Sequence, residues 1–577
     1  MDGFAMLTVL AALEHHARVA PRKPALVIGV KGTWQQFSYA DLQAETERWA
    51  RIWLATGAAR HSVVFIILQH CPQMYPAFLG AMRAGLIPSF MPYPTIKQDP
   101  QLYWRSHQDL FNRVAPAGVL TYAALIEPIR RIADLATCQV LDVAGVACDP
   151  AQTLPLAPDI DNPGSIAVLQ HSSGTTGLKK GVALTWRQIR DQIEACALAL
   201  DASGEDRIVS WLPIYHDMGL IATFLLPFTL GAMVVSIDAF EWLMRPDMFL
   251  DEIARFRGTI SWLPNFAFNH LVRTRDRDRQ YDLSSLRALV DCSEPCKAES
   301  IEKFIETFQS HGLAPNAVQV CYGMAEIVFA ATHTPAGTQP PRITIDRDAM
   351  AGRSEVVVLP EGTAHGARFL SCGQPIKGVQ IRIVTRQAGS GMARLARGLA
   401  DIGIGVKRQH AVTIGEIELR SPFLFDGYFR NPAATAAAME ANWFRSGDIG
   451  FILDGELYVC GRSKEMLIVH GRNYYANDIE ALVNRLAGIK PGRVVAVGVF
   501  DRITGSEEAV VLAETTLEDP QERAELEQAI RKRVFDVLNL TLRRVEIAGE
   551  GTLVKTTSGK ISRNENIKRL SAELVPS

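Results

Sequence analysis

Residues 170 to 181 read QHSSGTTGLKKG, a polar run holding three glycines, two serines, two threonines and two lysines. Glycine lets a backbone fold closely around an anion. The hydroxyls and N–H groups of such a run can cradle phosphate oxygens, while a lysine adds a mobile positive charge. The same composition also suits a solvent-exposed loop. The run is not the common P-loop, because Gly174, Gly177 and Gly181 are not followed by the Gly-Lys-Ser/Thr that GxxxxGK[ST] requires. Phosphate handling of another kind is expected.

The elements that must position this run are readable from periodicity. SIAVL, just before it, reads as a strand, as does VVFIILQH at 63 to 70. DLQAETERWARIWLATG from Asp41 has helical spacing and stops at Gly57. GLIPSFM after FLGAMRA repeats a helix-then-strand pattern that predicts parallel sheets with helices on their faces. After GELYVCGR, strand-like VVAVGVF and AVVLAE alternate with helix-like DIEALVNRLAG and RAELEQAIRKRVFDVL, enough for a small α/β unit. The fold class expected is α/β, with a large N-terminal body of several subdomains over residues 1–461 and a small C-terminal α/β domain over 462–577.

Composition narrows the function. The 577 residues are 48% hydrophobic, enough for more than one core, and 60 basic against 62 acidic side chains give a net charge of −2. No polyanion-binding footprint is present, so nucleic acid is not expected as a partner. The nine cysteines are scattered, and Cys292 and Cys296 have no second pair at metal-ligand spacing; a reduced compartment without structural zinc is expected. MDGFAMLTVLAALEHH carries an acid where an export signal needs a base, and reads as an amphipathic helix of a cytosolic domain. MGLIATFLLPFTLGAMVVSI, residues 218–237, is long enough to cross a bilayer, but Pro227 and Gly231 mark it as a core helix feeding a buried strand. No transmembrane segment is expected, and the localisation expected is cytoplasmic.

The order of further segments points to a family. The glycine-rich run resembles the phosphate-binding signature of the adenylate-forming superfamily, which includes acyl-CoA synthetases, luciferases and nonribosomal adenylation domains. Lys180 falls on the motif lysine, while Lys179 replaces its proline and Ser172 its first threonine. PIYHDMGL at 213, CYGMAE at 321, GEIELRSPFLFDGY at 415, WFRSGDIG at 443, GRSKEMLIVHGRNYYANDIE at 461 and TTSGKISR at 556 follow in family order. HDMGL and the GRN-aromatic hinge region look most like the fatty acyl-AMP ligases. Residues 334–375 resemble the insertion, here about 334–370, that distinguishes those ligases and disfavours transfer to CoA; a plain surface excursion is the other reading.

The resemblance assigns roles residue by residue. Ser172, Ser173, Gly174, Thr175, Thr176, Gly177 and Lys180 would hold the ATP phosphates. Tyr322 would stack on adenine, with Gly323 beside it, and Glu326 would hold Mg2+ with the phosphates. Asp448 would grip the ribose hydroxyls and Arg462 would contact ribose or phosphate. Lys560 would reach the acyl carboxylate and the α-phosphate from a mobile C-terminal domain hinged near Lys464. His216 would orient the carboxylate, which is already ionised at neutral pH. Trp211, Trp262, Phe266 and Phe268 either line an acyl tunnel or fill the core.

The implied reaction is ATP-dependent activation of a medium- or long-chain fatty acid as an acyl-adenylate with release of pyrophosphate. Transfer to the phosphopantetheine thiol of a holo acyl carrier protein would follow. With 17 residues after Lys560, that carrier is expected as a separate protein. Fatty acyl-CoA ligation is the enzymatic alternative. A catalytically weakened homologue that binds nucleotide or carrier is the other, motivated by Lys179 and by the extra segment at about 385–413. Arg394 and Arg397 in that segment suit a basic docking helix or an ordinary solvated one.

Overall fold

The hydrophobic runs of the sequence form strands buried on both faces. Six of them lie parallel in the order Pro24–Val30, Met233–Ser236, Arg207–Ser210, Ile260–Leu263, Ala288–Asp291, Val318–Gly323. Thr33–Ser38 adds an antiparallel edge on one side, and Ala330–His333 with Gln374–Pro375 on the other. Burial on both faces explains why ISWL and ALVD do not alternate apolar with exposed polar residues, Ser261 and Asp291 being buried with the rest. The computed structural model describes residues 6–95, 100–150, 153–154, 162–171, 180–364, 366–385, 412–469, 472–501, 506–555, 561–563 and 565–567.

A second parallel sheet runs Ile87–Phe90, Val63–Ile66, Gly118–Thr121, Gln139–Asp142. Helix Tyr39–Ala55, started by a Ser38–Asp41 capping box, packs on helix Met74–Arg83. Gly80 makes that contact possible, since a Cβ there would lie 2.5 Å from the Cβ of Trp49. Strand Ile166–His171 precedes the glycine-rich run as expected, and it pairs antiparallel with Gly181–Thr185, the strand that follows the run. The helix comes one strand later, where Thr185 and Gln188 form the capping box of Trp186–Leu200.

The apolar stretch from Met218 is a core helix feeding the strand Met233–Ser236, but its first part, Met218–Leu225, is a π-helix. Among the described residues no helix is long and apolar enough to cross a membrane. Within residues 342–370, Arg342–Asp346, Val358–Leu359 and Gly366–Leu370 make a small antiparallel sheet. Arg342 and Arg368 of that sheet pair with Glu302 of helix Ala298–Phe308 at 3.3 and 2.5 Å. The basic segment from 386 to 411 lies outside the described residues.

An antiparallel sheet of Gln380–Val384, Gly415–Arg420, Trp443–Leu453, Met439–Glu440 and Glu456–Arg462 completes the large body. From Leu467 onward most buried side chains pack among themselves, between helices Ala476–Val483 and Pro520–Leu538 and the sheet Ile489–Asp501, Ser506–Thr515, Leu542–Ala548, while Tyr475 packs with Phe451 and Tyr458 of the large body. Lys464 sits in the single turn Ser463–Glu465 that joins the two. Ion pairs Lys297 with Asp478, at 3.5 Å, and Glu299 with Arg485, at 3.6 Å, also link them.

Candidate active site

Among the described candidates, Tyr322 and Glu326 stand at the carboxyl end of parallel strand Val318–Gly323, and His216 follows that of Arg207–Ser210, the ends at which open α/β sheets bind ligands. Strand Val318–Gly323 ends in Tyr322 and Gly323, and the chain then reverses sharply. Met324 N donates to Phe329 O at 2.8 Å around the turn Ala325–Ile327. Phe329 N reaches back to Ile327 O at 2.8 Å, with Val328 between them at φ 66°, ψ −54°. That is a γ-turn of the rare hand, which costs a β-branched residue about 1–3 kcal/mol. Gly323 has no substitute here, because a Cβ would fall 2.0 Å from Phe329 O. The strained loop presents Glu326.

Glu326 is buried, and burial pushes its carboxyl above the usual range; the hydroxyl of Tyr428 and the charge of Lys180 oppose that, while Asp217 adds to it. Tyr428 Oη donates to Glu326 Oε1 at 2.8 Å. Lys180 Nζ stands 4.4 Å from the centroid of the same ring. The backbone explains this meeting: Phe429 N donates to Gly181 O at 2.7 Å, and Val182 bridges Tyr428. Phe425 N also donates to Glu326 O at 2.8 Å.

These residues fit Mg2+ held jointly with a nucleotide. Mg2+ uses one or two carboxylates together with phosphate oxygens and water, and does not need a full protein cage. Glu326 supplies such an oxygen donor, and among the described residues no cluster of three His, Cys, Asp or Glu forms a closed metal site.

The second constellation centres on Asp448. Strands Trp443–Leu453 and Glu456–Arg462 place Asp448 directly opposite Arg462. Arg462 Nε lies 3.3 Å from Asp448 Oδ1, and Tyr322 Oη donates to Oδ2 at 2.7 Å. Asp448 N donates to Ser446 Oγ at 3.0 Å, and Ser446 Oγ donates to Ile417 O at 2.6 Å, so the aspartate backbone is braced. Burial raises the Asp448 carboxyl above its ordinary range, against the pull of Arg462 and Tyr322. The Asp448 side chain is 10% exposed and that of Arg462 50%, so the guanidinium extends from a buried anchor toward the surface. Tyr322 has a satisfied hydroxyl, and the structure ties it directly to Asp448.

His216 is half-buried on the turn entering the π-helix, its ring 4.8 Å from that of Tyr215. Leu220 N donates to His216 O at 2.7 Å. Gly219 lets the turn close, since a Cβ would meet Pro213 O at 2.2 Å. Gln170 Nε2 donates to Tyr215 O at 3.1 Å, which ties this turn to the strand leading into the glycine-rich run.

The aromatic candidates separate. Trp262 and Phe268 are core residues, 1% and 0% exposed. Trp211 stacks on Trp242 at 3.7 Å and 5°, with the largely exposed Phe266 at 6.2 Å from each ring. Ser172, Ser173, Gly174, Thr175, Thr176, Gly177 and Lys560 lie outside the described residues. Sequence reasoning missed Trp242 and Tyr428. Tyr428 ends a quoted motif, but nothing in spacing connects it with Glu326, 102 positions away.

The fold and this arrangement define an adenylate-forming ligase, an enzyme that activates a carboxylate with ATP. Residues 13–429 match the model of the AMP-binding enzymes, and the chain belongs to that family. It is 31% identical to the medium-chain-fatty-acid–[acyl-carrier-protein] ligase JamA of Moorena producens, over 70% of this chain and 68% of that one. It is 30% identical to a 4-hydroxyphenylalkanoate adenylyltransferase of Mycobacterium marinum, over 93% of this chain and 85% of the relative. A solved structure from a study of fatty acyl-adenylate ligases of E. coli and L. pneumophila superposes with a TM-score of 0.85 at 26% identity, covering 98% of both chains.

Proposed function

We propose that the protein activates a medium- or long-chain fatty acid with ATP and passes the acyl group to the phosphopantetheine thiol of a separate holo acyl carrier protein. The observation that carries the reading is that Tyr322 and Glu326, four residues apart on one turn, reach both polar constellations, Asp448 with Arg462 and Tyr428 with Lys180. One end of a nucleotide is suited by the first and the other end by the second.

In this reading a carboxylate oxygen of the acid attacks the α-phosphorus of ATP, the α–β bridging bond breaks, and pyrophosphate leaves. Asp448 accepts from the ribose hydroxyls while Arg462 reaches adjacent oxygens. Tyr322 flanks adenine. Lys180 meets the departing phosphates together with the hydroxyls of residues 172–176, and Lys560 neutralises charge at the α-phosphate, where it grows most in the transition state. His216 orients the acid. Mg2+, when bound by Glu326, neutralises phosphate charge. The carrier thiol then attacks the acyl carbonyl carbon, and AMP leaves with the electron pair.

Several features support the finer parts of the reading. The largely separate core from Leu467 supports a domain boundary near 462 with a hinge at Lys464. The small sheet within residues 342–370, fastened to Glu302, supports a bias against CoA, and the carrier named for JamA supports the acceptor. The nine unbridged cysteines suit the cytoplasm.

Acid-dependent pyrophosphate release over fatty acids of graded length, with mass spectrometry after addition of CoA or holo carrier, tests the reading. Acyl-adenylate that passes to carrier and not to CoA is the result expected. Acyl-CoA formation would reassign the acceptor, and no adenylate with any acid would make a weakened nucleotide- or carrier-binding homologue the better reading.

A further inference from the structure

Lys180 and Glu326 carry opposite charges on the two sides of one aromatic residue. The ammonium lies 4.4 Å from the ring centroid of Tyr428, and the carboxylate accepts from its hydroxyl at 2.8 Å. Among the described residues no direct ion pair joins the two. The phenol is itself held firmly. Tyr428 N donates to Thr435 Oγ1 at 2.9 Å, and the ring of Phe425 packs edge-on at 4.9 Å. The Gly427 φ of 151° keeps the chain against Thr435, where a Cβ would come within 2.8 Å of Thr435 Cγ2. Only 7% of Tyr428 is exposed.

In so buried a place a lysine and a glutamate that touched would attract strongly, because little water screens them. A phosphate-bearing substrate and its cation would then have to break that pair before either charge was of use. A tyrosine between them offers each a weaker partner that is easily exchanged. The electron-rich face takes the ammonium and the hydroxyl takes the carboxylate.

We propose that Tyr428 is a positioning residue that keeps Lys180 and Glu326 apart, so that the lysine remains available to nucleotide phosphate and the glutamate to the accompanying cation. This rests on the reading that Lys180 and Glu326 face the phosphates of ATP. It predicts that removing the ring lets the two side chains quench each other, and that the damage to phosphate binding is then repaired by neutralising Glu326.

The probe is ATP with chelator and no divalent cation, titrated by calorimetry into the full chain, so that the readout is binding and not turnover. Tyr428→Phe, which keeps the ring beside Lys180 but loses the hydroxyl that holds Glu326, is expected to bind less tightly than wild type and more tightly than the variant without the ring. Tyr428→Ala is expected to bind about tenfold or more weakly, the scale of a lost charge-assisted contact. Glu326→Gln placed on Tyr428→Ala is expected to restore affinity to within about threefold of Glu326→Gln alone. Tyr428→Leu, closer in volume, carries the same comparison if the alanine variant does not fold.

Unchanged affinity in the ring-deleted variant, or failure of Glu326→Gln to rescue it, would overturn the spacer role while leaving the nucleotide site intact. No ATP binding by wild type, with or without Mg2+, would overturn the nucleotide reading and this inference with it.

Discussion

Asp448 and Arg462 face each other across neighbouring antiparallel strands, with Arg462 Nε 3.3 Å from Asp448 Oδ1 and the hydroxyl of Tyr322 on the other oxygen. The strand register pairs them before any ligand arrives. An aspartate that is already braced loses little ordering entropy when it accepts from two hydroxyls at once.

Asp448→Asn should therefore cost more function than stability. It leaves the Tyr322 hydroxyl an acceptor but removes the charge opposite a half-exposed arginine. We expect roughly 100-fold lower kcat/KM for ATP and about 2 kcal/mol of stability, the scale of one charge-assisted hydrogen bond. Pyrophosphate-release kinetics and urea titration of the same preparation separate the two effects.

Gly323→Ala should be far more damaging than a methyl group suggests. The new Cβ would sit 2.0 Å from Phe329 O, a backbone atom fixed by its bond from Met324 N. Overpacking costs about 1–3 kcal/mol, and relief must come from the turn that carries Glu326. A lower melting temperature together with loss of pyrophosphate release is expected; a fully active variant would show that the turn is not rigid.

The C-terminal lobe should carry its own pH dependence through Glu480. Its carboxylate accepts from Ala496 N at 2.9 Å and pairs with Arg563, yet burial outweighs both and lifts it to about 7. A raised carboxyl favours the protonated folded state. Its contribution to stability is full below the unfolded value near 4.5 and is lost as pH rises through about 7. Glu480→Gln removes that loss, so the difference in unfolding free energy between variant and wild type, read from urea titration, should change between pH 4.5 and 8 in favour of the glutamine by up to roughly 3 kcal/mol. A constant difference would show that Glu480 titrates normally.

Lys560 and His216 should separate by magnitude. Lys560→Ala is expected to lower the rate of adenylate formation by about 100-fold or more, as removal of transition-state charge stabilisation does, with little change in KM for ATP. His216→Ala is expected to cost about tenfold, mostly in the KM for acid, because an ionised carboxylate needs orientation and no base. Single-turnover measurement of acyl-adenylate by mass spectrometry distinguishes these outcomes.

Much of the molecule is local and was therefore legible. Asp41 to Gly57 marks helix Tyr39–Ala55 because a capping box and an apolar stripe are properties of neighbouring residues. The buried strands at 63 and 166, the core helix that ends at Gly231, and the small C-terminal α/β unit follow from the same kind of spacing. Ordered motifs likewise single out His216, Tyr322, Glu326, Asp448 and Arg462.

Other features depend on which distant segments meet. Hydrophobic spacing cannot distinguish an α-helix from the π-helix at Met218–Leu225, since both bury every side chain there. It cannot say that Ile166–His171 pairs antiparallel with Gly181–Thr185, or that residues 342–370 fold into a sheet held by Glu302. The sequence by itself determined which residue types are present to hold a nucleotide and a carboxylate, and the local elements that carry them. Only the tertiary structure decided that Tyr322 serves Asp448 and that Tyr428 stands between Lys180 and Glu326, because a hydrogen bond or a ring contact is set by packing across 102 or 126 residues of intervening chain, where spacing holds no information.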